Sequence, residues 1–198
     1  MITEENQLLP HESLSVIAEV ISKTKDNFKA NSFYFLLWGW LIAIASFSFF
    51  LLHQYTSFRY YFLPFPVLVI TGILVTLSRY VKSRAVSRTE TYFGYFFSRL
   101  WLVLGISFII VVFVTVSQKS VPFSYSLIIA AIGTLVSGLT MNFKPLIAGG
   151  ILFFVCAIAS VYLPDNDKPL LTGVAIIAGY LIPGYLLRSS KSIIANNV

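Results

Sequence analysis

Six long apolar runs constrain this chain more than any other feature of its sequence. They cover Ser32–Leu52, about Pro64–Val81, Phe96–Val116, Pro122–Met141, Pro145–Leu163 and Pro169–Leu187. Each approaches the roughly 20 apolar residues needed to cross a hydrocarbon core of about 30 Å. A backbone in hydrocarbon must satisfy its own hydrogen bonds, so a run of this kind reads as a helix. Pro64, Pro122, Pro145 and Pro169 stand at or near the starts of four runs, where a missing N–H costs nothing because first-turn donors have no partner within the helix. The composition agrees: 57% of the 198 residues are hydrophobic and only 11% charged, against about 25% charged in soluble domains. The expected fold class is therefore an all-α membrane protein of six transmembrane helices, with long connections between the first three and very short ones between the last three.

Basic residues set the expected orientation, because lysine and arginine are retained on the cytoplasmic side during insertion. With the N-terminus inside, Lys23, Lys25, Lys29, Arg79, Lys82, Arg84, Arg88, Arg99, Lys144, Arg188 and Lys191 fall on the cytoplasmic side, and only Arg59, Lys119 and Lys168 fall outside. The C-terminal tail, 189–198, returns to the cytoplasm. The densest charge run, "RYVKSRAVSRTE", lies in the longest internal loop, where this bias alone predicts such residues. Its Arg79, Lys82, Arg84 and Arg88 are also candidate contacts for anionic lipid headgroups, worth about 1 kcal/mol per basic residue near the surface. A net charge of +6 would suggest nucleic acid in a soluble protein, but this run is short, membrane-tethered and without a recognisable binding module. No nucleic-acid partner is expected. Tyr34, Trp38, Tyr80, Tyr92, Tyr95, Trp101 and Tyr185 fall toward the inner face, and Tyr55, Tyr60, Tyr61, Tyr125 and Tyr162 toward the outer one, as interfacial aromatic belts do.

Residues 1–31 form a separate region. They begin "MITEENQLLPHE", with acids where a signal peptide has a basic region and with no short apolar core, so they are expected to remain on the mature protein. From Pro10 to Ala30 the pattern is that of an amphipathic helix. Leu14, Ile17, Val20, Ile21 and Phe28 share one face, and Glu12, Ser15, Glu19, Ser22, Asp26 and Lys29 the other, at the helical period. Its acids balance its lysines, whereas helices that adsorb on anionic lipid carry lysine and arginine on the polar face. Leu14, Ile17, Ile21 and Phe28 are therefore a candidate partner-binding face, packing either on this chain's own inner loops or on another chain.

The chemistry expected of the spans is sparse. No Asp, Glu, His or Lys lies in a span interior, which argues against a proton relay. His11 and His53 lie outside the spans, so neither a membrane serine–histidine pair nor a HExxH zinc motif can be built. A lone cysteine, Cys156, cannot form an intrachain disulfide, and no His/Cys cluster has zinc-ligand spacing. No catalytic residues, metal or cofactor are expected, and the chain is read as non-enzymatic. What does recur is a stripe on the fourth run, Ser126, Ala130, Gly133, Ser137 and Thr140, which either packs helices closely or lines a polar path for a neutral or weakly charged solute. Pro183 and Gly184, in "GYLIPGYLLR", mark a kink, hinge or early helix end.

The stretch "NSFYFLLWGWLIAIASF" after the amphipathic helix, with "YLIPGYLLR" at the end, resembles small uncharacterised six-span proteins of bacterial inner membranes. That resemblance implies a bacterial inner-membrane location and no particular activity. The expected function is a non-enzymatic, self-associating or partner-binding regulatory or scaffold module, with membrane lipids and a second copy or a membrane or cytoplasmic protein as partners. The alternative is a small transporter or channel along the stripe.

Overall fold

The computed structural model describes residues 10–56, 59–86 and 92–189, with the side chains of 10–31, 83–86 and 92–93 excepted. Every regular element among them is helical: α1 (Pro10–Tyr55), α2 (Pro64–Val86), α3 (Tyr92–Ser117), α4 (Phe123–Thr140), α5 (Lys144–Val161), α6 (Lys168–Ile176), a π-helical segment (Ile177–Leu181) and α7 (Ile182–Ser189). Six stretches are long and apolar enough to cross a membrane: Ser32–Tyr55, Pro64–Lys82, Gly94–Ser117, Phe123–Thr140, Lys144–Val161 and Lys168–Ser189. The all-helical, six-helix architecture is the one expected. The last stretch is a composite of α6, the π segment and α7.

One difference is that the N-terminal region and the first apolar run are not separate elements. α1 continues through residue 31 as a single helix of 46 residues, about 69 Å long at roughly 1.5 Å per residue. No proline or glycine stands between Pro10 and Gly39 to interrupt the ladder, and helix propagates readily once nucleated.

Prolines place the helix starts. Pro64 opens α2, Pro122 caps α4, and Pro145 and Pro169 sit in the first turns of α5 and α6. Two turns close through residues in the left-handed region. Asn142 (φ 49°) ends α4, with the Phe143 N–H bonded to the Gly138 carbonyl at 2.9 Å, and Lys119 (φ 56°) ends α3, with the Ser120 N–H bonded to the Thr115 carbonyl at 2.9 Å. Both are C-terminal caps that satisfy carbonyls the helix leaves open, and asparagine tolerates that backbone better than most residues.

The core lies between α1, α4, α5 and the α6–α7 composite. It is built around Phe35, Ala43, Leu127, Ala131, Leu146, Phe153, Ala157, Ala175, Ile176, Tyr180 and Leu187. α4 and α5 form the most intimate pair. A Cβ on Gly150 would lie 2.7 Å from the Cα of Leu135, and one on Gly138 would lie 2.7 Å from the Ile147 nitrogen, so only glycine permits this approach of backbone to backbone. α2 rests chiefly on α1 and α3 on α4. Their outward faces are apolar and exposed, with Ile70, Leu74 and Val81 on α2 and Ile106, Ile109 and Phe113 on α3.

Candidate functional site

The stripe on α4 is buried unevenly along its length. Gly133 and Ser137 are buried, Ser126 and Ala130 are half-buried, and Thr140 is exposed. Each hydroxyl turns back on its own helix. Ser126 donates to the Pro122 carbonyl at 2.7 Å, Thr140 to that of Val136 at 2.7 Å, and Ser137 to that of Gly133. This back-bonding satisfies the hydroxyl donor locally. Gly133 faces α3, where the Leu104 Cδ1 and the Trp101 ring lie 2.8 and 3.1 Å from the position of a Cβ. α4 meets α5 along a neighbouring line, through Gly138 and the hydrogen bond between the Ser124 and Ser160 hydroxyls at 2.8 Å.

The partner face divides differently. Leu14, Ile17, Ile21 and Phe28 lie on the helical backbone of α1, and their side chains fall outside the described set. In the basic run, Arg79 is engaged within the fold: its guanidinium lies 3.8 Å from the centroid of the Phe33 ring on α1, a cation–π contact. Lys82 is exposed, Arg84 has only its backbone described, and Arg88 lies outside the described residues.

The helix does not end at Pro183 and Gly184, and this corrects the expectation of an early terminus. Both residues are buried within α7, which continues to Ser189. The irregularity is displaced toward the N-terminus, into the π segment, where the Ile182 N–H bonds to the carbonyl of Ile177. The reason is packing beyond the proline: Leu187 is fully buried, and Gly184 lies against Leu36 and Phe35 of α1. Those contacts hold the chain helical where isolated propensity would release it.

Around this joint the structure assembles residues that the sequence did not bring together. Phe35, Phe97, Trp101, Tyr180 and Phe153 form an aromatic cluster, with Phe35 edge-on to Phe97 and Trp101 at 6.2 and 5.9 Å and Phe153 edge-on to Tyr180 at 5.1 Å. Trp101 is half-buried and packs against the core. The buried Thr134 hydroxyl donates to the Ala130 carbonyl at 2.7 Å. On the exposed side, Trp40 Nε1 donates to the Tyr185 hydroxyl at 3.1 Å, linking α1 to α7. Among the described residues, the buried Ser46 Oγ, Thr76 Oγ1 and Trp101 Nε1 have no hydrogen-bond partner.

At the opposite end of the bundle, Phe49 gathers His53, Tyr61, Phe65 and Phe123 at 5.2 to 6.1 Å between ring centres, tying α1, α2 and α4 together. Lys168 pairs with Asp165 at 2.6 Å in the α5–α6 connection. No group of three or more His, Cys, Asp or Glu side chains able to hold a metal occurs among the described residues. No family model, curated protein or solved structure matches this chain.

Proposed function

We propose that this chain is a non-enzymatic membrane module that self-associates or binds a partner protein through the N-terminal part of α1. The observation that carries this reading is the continuity of α1. Residues 10–31 extend the helix by about 33 Å beyond the apolar stretch that begins at Ser32. An arm of that kind, amphipathic by its sequence and balanced in charge, suits a protein surface better than a lipid one. In this reading six helices cross the cytoplasmic membrane, an inner membrane as the resemblance implies, with both termini cytoplasmic by the bias of basic residues. Lys82, Arg84 and Arg88 meet anionic headgroups, while Arg79 holds α2 to α1. The deciding experiment measures the detergent-solubilised mass, and the co-purifying proteins, of the parent chain and of Ile17→Asp/Ile21→Asp. Each buried isoleucine would favour contact by about 1.5–3 kcal/mol, and a buried unpaired carboxylate opposes it. A smaller mass or a lost companion supports the reading, and unchanged mass and companions reject it.

A second reading, a small transporter or channel for a neutral or weakly charged solute, has one observation in its favour. The Ser46 hydroxyl is fully buried without a partner among the described residues, as a polar group awaiting a solute is. Against it stands the stripe on α4, whose hydroxyls bond to their own backbone and whose Gly133 is covered by Trp101 and Leu104. Solute uptake into proteoliposomes that disappears in Ser46→Val would favour transport.

A further inference from the structure

The last apolar helix contains a joint. α6 passes into the π segment and then into α7 without leaving helical geometry, and Pro183 accounts for the change of register. In an α-helix the carbonyl of Gly179 would await an amide hydrogen four residues on, which Pro183 lacks, and the proline ring would press on that same carbonyl. In the π turn the Ile182 N–H reaches five residues back to the Ile177 carbonyl, so the ladder changes register ahead of the proline and the ring is no longer set over the Gly179 carbonyl. Ordinarily such a turn forfeits one backbone hydrogen bond. Here the bond that the turn forfeits falls at Pro183, directly after the Ile182 N–H that bonds to Ile177, and proline has no N–H to give in either register, so the α and π arrangements differ little in bond count.

The neighbours of the joint are arranged to hold it. On one side, a Cβ on Gly149 would lie 2.5 Å from the Gly179 oxygen, so the freed carbonyl lies directly against the backbone of α5, in reach of a weak Cα–H···O contact. On the other side α1 spans the whole joint. Its Phe47 packs on Gly173 before the π segment, its Gly39 on Tyr180 and Leu181 within it, and its Leu36 on Gly184 after it, while Trp40 bonds to Tyr185 at 3.1 Å. α1 therefore acts as a splint along a segment whose backbone has two registers of similar bond count.

We propose that the π segment is a register switch, and that α1, displaced through its N-terminal arm, selects between two seats of α7. In the register seen here Tyr185 faces Trp40. In the α register the extra residue absorbed by the π turn is released, each residue of α7 advances by one place, and position 184 comes to face Trp40 in place of 185. The neighbouring residue lies about 100° round the helix, so Tyr185 leaves α1. The control by the arm rests on the reading of α1 given above. The switch itself does not.

Cysteine pairing tests both parts in the full chain, reconstituted in lipid on a Cys156→Ala background. Trp40→Cys with Tyr185→Cys reports the π register, and Trp40→Cys with Gly184→Cys reports the α register. Because Trp40 and Tyr185 meet through their side-chain tips and a direct disulfide needs Cα atoms within about 7 Å, the pairs are joined with a bifunctional thiol reagent about 10 Å long, and the first pair should cross-link faster at rest. Pro183→Ala, which restores a donor for Gly179, should raise the 40–184 to 40–185 ratio at least threefold, and Ile17→Asp/Ile21→Asp should raise it in the same direction. A ratio unmoved by Pro183→Ala overturns the switch. A ratio moved by Pro183→Ala but not by the arm substitutions, where these do lower the oligomer mass, overturns the control by the arm and leaves the association reading standing. Hydrogen exchange on the chain without engineered cysteines is the second measurement: amides of 177–189 should exchange at least tenfold faster than those of the α4–α5 pair, and equal protection overturns the switch.

Discussion

Gly150 and Gly133 are both glycines on tightly packed helices, yet alanine should be tolerated at one and not at the other. At Gly150 the added methyl would lie 2.7 Å from three atoms of Leu135, its nitrogen, Cα and Cβ, which is 0.7 Å short of the 3.4 Å where ordinary contact begins. Two of those atoms are helix backbone, so relief requires the α4–α5 pair to separate. Such overpacking costs about 1–3 kcal/mol, and separation also loses dispersion contacts along the most intimate helix pair, which have little hydrophobic driving force in lipid to replace them. At Gly133 the methyl would meet the Leu104 Cδ1 at 2.8 Å and the rim of the Trp101 ring at 3.1 and 3.4 Å. A leucine tip moves by a small rotation, and the gain in helix propensity of alanine over glycine, up to about 1 kcal/mol, offsets the adjustment. Gly150→Ala should therefore lower the midpoint of thermal unfolding by about 4–8 °C for a loss near 2 kcal/mol in a chain of this size, and Gly133→Ala by about 2 °C or less. Unfolding followed by fluorescence-detected size exclusion in one detergent compares them directly. Equal midpoints, or a larger loss at Gly133, would refute the assignment of backbone contact to one site and side-chain contact to the other.

Gly133→Leu, which cannot be accommodated by a rotation of Leu104 alone, should melt lower than the parent, by an amount corresponding to about 1–3 kcal/mol. Ser137→Ala should shift the same midpoint by under about 2 °C, because its hydroxyl bonds only to its own helix. Arg79→Gln should lose about 0.5–1 kcal/mol with the Phe33 cation–π contact, read as a lower midpoint that Phe33→Leu reproduces and the double substitution does not deepen. On a Cys156→Ala background, Ser83→Cys and Ser192→Cys should be shielded from an impermeant thiol reagent in intact cells while Asn166→Cys reacts. Labelling at position 83 would reverse the proposed orientation.

The helices were legible because length and apolarity define an apolar span almost without regard to neighbours, and the prolines at 64, 122, 145 and 169 mark where four of them begin. The partner of each face was not legible. Ser126, Ala130, Gly133, Ser137 and Thr140 do share a face by spacing, but spacing does not say which helix meets it, and the face turns out to be divided between α3, the core and the surface. Gly138, one residue off the stripe, makes the backbone contact with α5. Trp101 shows the same limit. An aromatic residue a turn or two inside an apolar run has the hydropathy of a belt residue, and only the proximity of Phe35 and Tyr180 shows it packed against the core. At Pro183 the local rule predicts a break, and tertiary contacts on Gly184 and Leu187 override it by moving the irregularity into the preceding turn.

The departures at Trp101 and Pro183 share one helix, α1. α1 supplies Phe35 to the aromatic cluster, Gly39 to the π segment, Trp40 to Tyr185 and Phe33 to Arg79, all close to the point where its apolar stretch begins at Ser32. The α4–α5 pair, by contrast, is closed by backbone contacts at Gly138 and Gly150 and touches α1 less than α6 and α7 do. A displacement of residues 10–31, transmitted along an unbroken helix, therefore arrives first at α2 and at the joint before α7, where the contacts include side-chain tips and the exposed Trp40–Tyr185 hydrogen bond. It reaches the α4–α5 pair last, where any shift has to move backbone against backbone. The bundle is stiff on one side and adjustable on the other, and the adjustable side is the one that α1 addresses.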